Sequence, residues 1–172
     1  MKLEGKLLEV AEWYDKQPPL QLDSVAYSSL RHELVMLFPV VNRVVAVGTI
    51  MSDPYKTFED MRADIIDNHR LVVFGGGGEH PYWGRDANIR FRTVHDYFGH
   101  YVSGVRFNSL ESELDAFRSQ ARFHAAVSLP ALATEVVGQI CSYYHHDKTY
   151  QPQKAVPMPA YLWQWILQGE TS

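Results

Sequence analysis

The chain is poor in cysteine, in long apolar runs and in excess positive charge. Its single cysteine, Cys141, excludes an internal disulfide framework and a cysteine-rich zinc site. The apolar runs are much shorter than the roughly 20 residues that a membrane-spanning helix needs. Acidic residues outnumber basic ones, 20 to 16, and the net charge is −4. We therefore expect no membrane span and no general nucleic-acid binding.

Imidazole and large aromatic rings are abundant by contrast, with eight His, ten Tyr and four Trp in 172 residues. Such groups build metal sites and aromatic-lined pockets that take small-molecule substrates. The length and the 46% hydrophobic content are typical of one globular domain. No signal peptide is visible in the first residues, and together with the lone cysteine this predicts a cytoplasmic protein.

The apolar periodicity predicts an α+β fold that is mostly helical, in a single domain spanning 1–172. The N-terminal α/β portion is 1–74, a glycine-rich loop is 75–87, and a helical portion is 88–172. In the first portion we expect helices at 3–14, at 24–38 ended by Pro39, and from residue 57, with strands at 43–50 and 71–74 in a small βαβ or hairpin-like element. In the last portion we expect helices at 88–103, 108–127, 130–145 and 160–168.

The strongest local feature for chemistry is the stretch 95–100, HDYFGH, in which His95 and His100 are five residues apart. On an ideal α-helix this spacing separates two side chains by about 140°, which is wide for two ligands of one metal ion. A looser turn would bring the rings together. The pair by itself therefore leaves a packing role open.

A third candidate ligand is Glu135, which has apolar or small neighbours and is expected to be buried. A buried carboxylate is unfavourable by several kcal/mol unless it meets a cation or strong donors. A metal ion bound by His95, His100 and Glu135 would supply that cation. The alternative is an ion pair of Glu135 with an arginine such as Arg92, Arg118 or Arg122.

Two imidazoles and one carboxylate are the ligand set of non-haem Fe(II) oxygenases, with three positions left open. The same ligands also bind Zn(II) and lower the pKa of its water, in which case Asp96 would serve as the base of a hydrolase. A third hypothesis is a non-catalytic binding or interaction protein, in which these residues form a structural metal site or a buried polar cluster.

Polar side chains close to this motif are candidates for supporting roles. Arg85, Arg90 and Arg92 lie just upstream of His95, and one of them would clamp a carboxylate or phosphate if the loop folds over the metal. Solvated or ion-paired arginines are the alternative. Gln139 follows Glu135 by one helical turn and is a candidate to hydrogen-bond the site or a bound cofactor.

The helix predicted over 108–127 presents three polar groups on one face. Gln120 and His124 follow Glu113 by 7 and 11 residues, which are helical repeats. These side chains are candidates to line the cavity. A second metal held by Glu113 and His124 is the further alternative.

The metal-site pattern resembles that of the pterin-dependent aromatic amino acid hydroxylases, HExxGH followed by a helical glutamate some 40 residues later. Here residues 95–100 read HDYFGH, and residues 134–138 read TEVVG, 35 residues from His100 to Glu135. The resemblance covers about a quarter of the chain. It implies an iron-binding oxidoreductase with His95, His100 and Glu135 as the iron ligands.

The same resemblance implies that Asp96, in place of the family's glutamate, lies where that acid reaches the cofactor through water. The family's Pro-Glu-Pro-Asp lead-in is replaced here by residues 89–94, IRFRTV, which argues against pterin use and an aromatic amino acid substrate. The chain also looks like a group of uncharacterised phage and actinobacterial proteins, and a phage origin would place it in the host cytoplasm. The expected metal is Fe(II), with Zn(II) as the alternative, and the expected substrate is an unidentified small molecule.

Overall fold

A computed structural model describes residues 3–77, 79–107 and 109–169, and it confirms a mostly helical α+β fold. Eight α-helices and two strands follow one another along the described chain, and two π-helical segments interrupt the helices of the C-terminal portion. They are α1 (Gly5–Lys16), α2 (Val25–Val44), β1 (Ala46–Ile50), α3 (Phe58–Asn68), β2 (Arg70–Phe74), α4 (Gly84–Val94), π1 (His95–Tyr101), α5 (Leu110–Gln120), α6 (Leu129–Ala133), π2 (Thr134–Gly138), α7 (Gln139–His145) and α8 (Gln164–Leu167).

The two strands form a parallel pair with α3 as the crossover, so the element is a βαβ unit rather than a hairpin. Ala46 is opposite Arg70 and Ile50 is opposite Phe74. Parallel strands need such a crossover because a short turn cannot return the chain in the same direction. A capping box between Thr57 and Asp60 begins α3, close to the predicted start.

Helix α2 continues through Pro39 to its end at Val44, so the prediction that Pro39 ends it is wrong. Proline removes one backbone hydrogen bond inside a helix and disfavours it. Here the buried side chains of Leu34 and Val41 lie on either side of Pro39 and anchor both halves in the core. Tertiary packing has therefore outweighed the local preference, and β1 starts at Ala46 instead of residue 43.

The boundaries of two C-terminal helices also differ from the prediction. Helix α4 begins at Gly84, whose φ of +71° suits glycine, so the loop after β2 is shorter than 75–87. Helix α5 is capped by Ser109 and ends at Gln120, followed by short 3-10 turns; residue 108, its predicted start, lies outside the described residues.

The elements α6, π2 and α7 form one nearly continuous helix over 129–145, as the sequence predicts for 130–145. Helix α1 packs against α7, and α2 packs against α4 and α6. Large side chains such as Tyr14, Tyr27, Phe117 and Leu132 are fully buried in the core. In the described part of the chain, none of the helices has both the length and the apolar character to cross a bilayer.

Candidate metal centre

The histidine pair lies on π1, and this geometry brings the two rings together. Backbone hydrogen bonds in π1 join residues five apart, as in Val102 N–H to Tyr97 O at 2.8 Å. Residues five apart therefore stack one turn above the other, unlike on an α-helix. The Nε2 atoms of His95 and His100 lie 3.2 Å apart. The wide angle computed for an ideal α-helix does not apply, because the helix is locally wider here.

The carboxylate that faces this pair belongs to Glu113 on α5. Its Oε2 lies 3.4 Å from His95 Nε2 and 3.5 Å from His100 Nε2. Gly99 allows α5 to approach, because a Cβ at that position would lie 3.3 Å from both Ala116 O and His95 Nδ1. His95, His100 and Glu113 thus present three potential ligand atoms within 4.8 Å of one another.

The hydrogen bonds on the far side of each ring decide where the imidazole protons lie. His100 Nδ1 is 3.1 Å from the carbonyl of Val105, which can only accept, so Nδ1 carries a proton. His95 Nδ1 is 2.8 Å from Gln120 Oε1, which likewise accepts. In the neutral rings both Nε2 atoms are then lone-pair acceptors, and they face the acceptor Oε2 of Glu113. Three converging acceptors require a cation between them, either a proton or a metal ion.

The orientation of the Gln120 amide follows from a second chain of contacts. His124 Nδ1 lies 2.6 Å from Glu33 Oε2, so it donates, and the neutral ring accepts at Nε2. Gln120 Nε2 is 3.3 Å from that nitrogen and donates to it, which leaves Gln120 Oε1 free to accept from His95. A relay Glu33–His124–Gln120 therefore fixes the tautomer of His95, as carboxylate–histidine pairs do around metal ligands.

The charges in the cluster shift the pKa values of its acids and bases. Burial favours the neutral form of Glu113, yet its contacts with His100 and His95 lower the pKa of Glu113 to about 2. Burial alone would lower the pKa of His95, but the Glu113 carboxylate, with Asp96 and Gln120, raises it above its usual value. Burial raises the pKa of Asp96, against the opposing effect of the two histidines. The Glu113 carboxylate is therefore ionised, and the His95 imidazole beside it is more basic than usual. Both properties favour the binding of a metal ion.

Glu135, the expected third ligand, is buried as predicted, but the structure does not bring it into this cluster. Its Oε1 accepts from the Tyr27 hydroxyl at 2.6 Å and from His80 Nε2 at 2.9 Å. His80 donates there because its Nδ1 accepts from the backbone N–H groups of Tyr82 and Trp83. Burial and the nearby Glu135 carboxylate raise the pKa of Tyr27. Neutral donors, not arginine, satisfy one oxygen of this carboxylate.

Two of the three arginines upstream of His95 donate hydrogen bonds to backbone carbonyls at the end of β2 and in the glycine loop that follows it. Arg92 donates to the carbonyls of Phe74 and Gly76, at 2.6 and 2.8 Å, and its burial lowers its pKa. Arg85 donates to the carbonyl of Gly75 at 3.0 Å. These bonds tie the loop after β2 to α4, next to the centre.

Two other predicted site residues lie in different contacts. The guanidinium of Arg90 is on the exposed side of α4 and lies over the ring of Phe38, 5.6 Å from its centroid. Gln139 lies beside the hydroxyl of Tyr14. Neither contact involves the three ligand atoms of the cluster.

The sequence predicts Glu113 and Gln120 on one helix face. It does not predict that Glu113 is the carboxylate facing the two histidines or that Gln120 orients the ring of His95. The signal was their spacing of seven residues, which places both side chains toward His95. His124 does not join Glu113 in the cluster; it belongs to the relay with Glu33. Tyr27, His80 and Glu33 gave no local signal, because each acts on residues more than 50 positions away.

Comparison with known proteins adds no relative: no family model matches the chain, and neither does any curated protein or solved structure. The resemblance to the aromatic amino acid hydroxylases therefore stays a prediction. What the chain can do has to be inferred from the geometry of the centre.

Proposed function

We propose that the protein is a metalloenzyme that binds one divalent transition metal at His95, His100 and Glu113, and that it acts as a non-haem Fe(II) oxygenase on a small molecule. One observation carries the proposal. Three acceptor atoms lie 3.2–3.5 Å apart while hydrogen bonds hold both imidazole protons on the opposite ring nitrogens. Tetrahedral and octahedral metal ions place their ligand atoms at roughly 3 Å from one another, given bonds of about 2.0–2.2 Å.

The number of ligands supports a catalytic centre over a structural one. Within the described residues the cluster has three members, and a structural zinc site closes its shell with four. Two neutral nitrogen ligands and one carboxylate on a three-ligand site are the arrangement of non-haem iron oxygenases, in which Fe(II) supplies the activation of dioxygen. Open positions then remain for dioxygen and for a substrate or cosubstrate.

The chain's own residues have distinct tasks in this proposal. Gln120 and the Val105 carbonyl hold the two imidazoles in the tautomer that binds metal. Glu113 neutralises one positive charge of the ion. Asp96, whose pKa is raised by burial, is suited to accept or release a proton beside the centre. Arg92 holds the glycine loop through the carbonyls of Phe74 and Gly76.

A zinc hydrolase with the same ligands is the second candidate, and Asp96 is the observation that favours it. This carboxyl group follows the ligand His95 directly and interacts with both histidines, so it would be placed to act as general base toward a metal-bound water. Such an enzyme would be active with Zn(II) in the absence of dioxygen, whereas an oxygenase would not.

Anaerobic reconstitution distinguishes these proposals. The metal-free chain is titrated with Fe(II) and, in parallel, with Zn(II), and the Fe(II) form is exposed to nitric oxide as a dioxygen surrogate. We expect one equivalent of Fe(II) and the electron paramagnetic resonance signal of an iron nitrosyl with an open coordination position. Both are expected to be lost in His95→Ala and kept in His32→Ala, which removes an exposed histidine of α2. A chain that folds but binds neither metal at this cluster would overturn the proposal.

A further inference from the structure

A second group of potential metal ligands lies at the C-terminal end of α7, between α7 and α1. Asp15 is next to the last residue of α1, His145 ends α7, and His146 follows it. One ligand atom from each of these three residues lies within 4.8 Å of the other two. Because α1 packs against α7, the cluster joins two helices that are distant in sequence.

The carboxylate of Asp15 is already oriented by the protein. Its Oδ1 accepts from the buried hydroxyl of Ser142 at 2.6 Å, and its Oδ2 lies 2.8 Å from His146 Nε2. The backbone N–H of His146 bonds to Ser142 O, which fixes the end of the helix. Hydrogen bonds of this kind, on the far side of a ligand group, hold metal ligands in place.

The remaining member, His145, has no part in the Ser142–Asp15–His146 chain, but its ring lies against that of His146 with centroids 5.2 Å apart. The side chains of His146 and Asp15 are 40% and 26% exposed, so an ion from solvent can reach them. An ion pair alone needs only Asp15 and His146. The third ligand-type side chain is what distinguishes this place from an ordinary ion pair.

We propose that Asp15, His145 and His146 form a second, solvent-accessible site for Zn(II), separate from the centre at His95. Imidazole and carboxylate are zinc ligands, and tetrahedral ligand atoms lie about 3.3 Å apart given bonds of about 2.0–2.2 Å. The ligand atoms of the cluster already lie within 4.8 Å of one another. Water completes the fourth position, and the ion links the end of α1 to the end of α7.

The test is a calorimetric titration of the full-length metal-free chain with Zn(II), comparing wild type with His145→Ala. This variant removes one ligand and leaves the Asp15–His146 pair intact, so its melting temperature without metal stays that of the wild type. We expect the number of bound Zn(II) ions to fall by one, or the affinity at one site to fall about tenfold or more. His32→Ala, the matched control on α2, keeps the wild-type isotherm.

Two further variants keep the result interpretable. Ser142→Ala removes the bond that orients Asp15 and is expected to weaken the same site, while His100→Ala alters only the other centre. The proposal fails if His145→Ala binds as many zinc ions as the wild type with unchanged affinity, or if the zinc lost is the one that His100→Ala also removes. The two sites share no ligand. A negative result at the Asp15 site would therefore leave the proposed centre at His95 standing, and the reverse also holds.

Discussion

The exchange of Glu113 for glutamine tests the arrangement of the centre most directly. Without a metal ion a proton has to lie between the three acceptor atoms, and the imidazoles lower the pKa of Glu113 from its ordinary 4.5 to about 2. Because each tenfold change in acid dissociation is ~1.4 kcal/mol, this corresponds to about 3 kcal/mol of folding free energy. Glu113→Gln is expected to lower the stability of the metal-free chain by about that amount near pH 6.

The pH dependence gives the sign of the effect. A carboxylate with a lowered pKa stabilises the fold above pH 4.5, and the contribution disappears as the pH falls toward 2. The pKa of His95 is raised in the folded protein. The protonated ring therefore contributes fully to the free energy of unfolding below about pH 6.5, and this contribution is lost as the pH rises through the raised pKa. The difference between wild type and Glu113→Gln is thus largest near pH 5–6. Binding of the proposed metal ion would displace this proton, so we expect the metal affinity to increase with rising pH.

The assay is urea unfolding at a series of pH values in the presence of a chelator, followed by Fe(II) titration of the same samples. Glu111→Gln makes the same chemical change two residues earlier on α5, at an exposed position, and serves as the control. We expect Glu113→Gln to bind Fe(II) at least about 100-fold more weakly, since even outer hydrogen-bond partners of ligands contribute 10–100-fold. Glu135→Gln is expected to keep the metal.

Metal binding retained at wild-type strength in Glu113→Gln would refute this reasoning. Loss of the metal in Glu135→Gln with retention in Glu113→Gln would instead support the ligand set expected from the sequence. Equal unfolding free energies of wild type and Glu113→Gln at every pH would show that the carboxylate and the imidazoles do not interact in the folded state.

Three further substitutions test the surroundings of the centre. Gly99→Ala places a methyl group against His95 and the α5 backbone and is expected to destabilise the fold by about 1–3 kcal/mol, measured by urea unfolding. Gln120→Leu removes the acceptor that orients His95 and is expected to weaken Fe(II) binding about 10–100-fold in a calorimetric titration. Tyr27→Phe removes a donor from the buried Glu135 and is expected to lower stability by about 2 kcal/mol, measured by denaturant unfolding.

Each of these variants has a matched control in the chain. Gly48→Ala adds the same methyl group where it meets only an ordinary contact at 3.8 Å, and Tyr161→Phe removes an exposed hydroxyl. Gln120→Glu keeps an acceptor for His95 and should retain most of the affinity that Gln120→Leu loses. A variant that behaves like its control would contradict the role assigned to its side chain.

Much of the fold follows from local signals in the sequence. The helix start at Thr57, the β-branched runs on either side and the apolar periodicity of α3 predict two strands with a helix between them, in a βαβ or hairpin-like element, and the structure contains the βαβ unit. The continuous helix over 129–145 follows from the same periodicity. Pro39 is the instructive exception, since its local effect on α2 is outweighed by long-range packing that no nearby residue reveals.

Some features of the candidate centre likewise follow from local sequence, and others depend on long-range packing. The pairing of His95 and His100 is a local matter, yet α-helical geometry gives the wrong angle, and only the π-helical turn brings their Nε2 atoms to 3.2 Å. The choice between Glu113 and Glu135 is not local. Both are carboxylates on helical segments, and each finds its partners on a different element through tertiary packing.

The amino-acid sequence by itself determines that this is a mostly helical chain with an imidazole-rich segment and acidic residues able to serve as ligands, because periodicity, capping and side-chain chemistry are properties of neighbouring residues. Only the tertiary structure decides which carboxylate meets the histidines and which nitrogen of each ring carries the proton. Those outcomes depend on how closely α5 approaches π1, which Gly99 permits, and on the relay from Glu33 through His124 and Gln120.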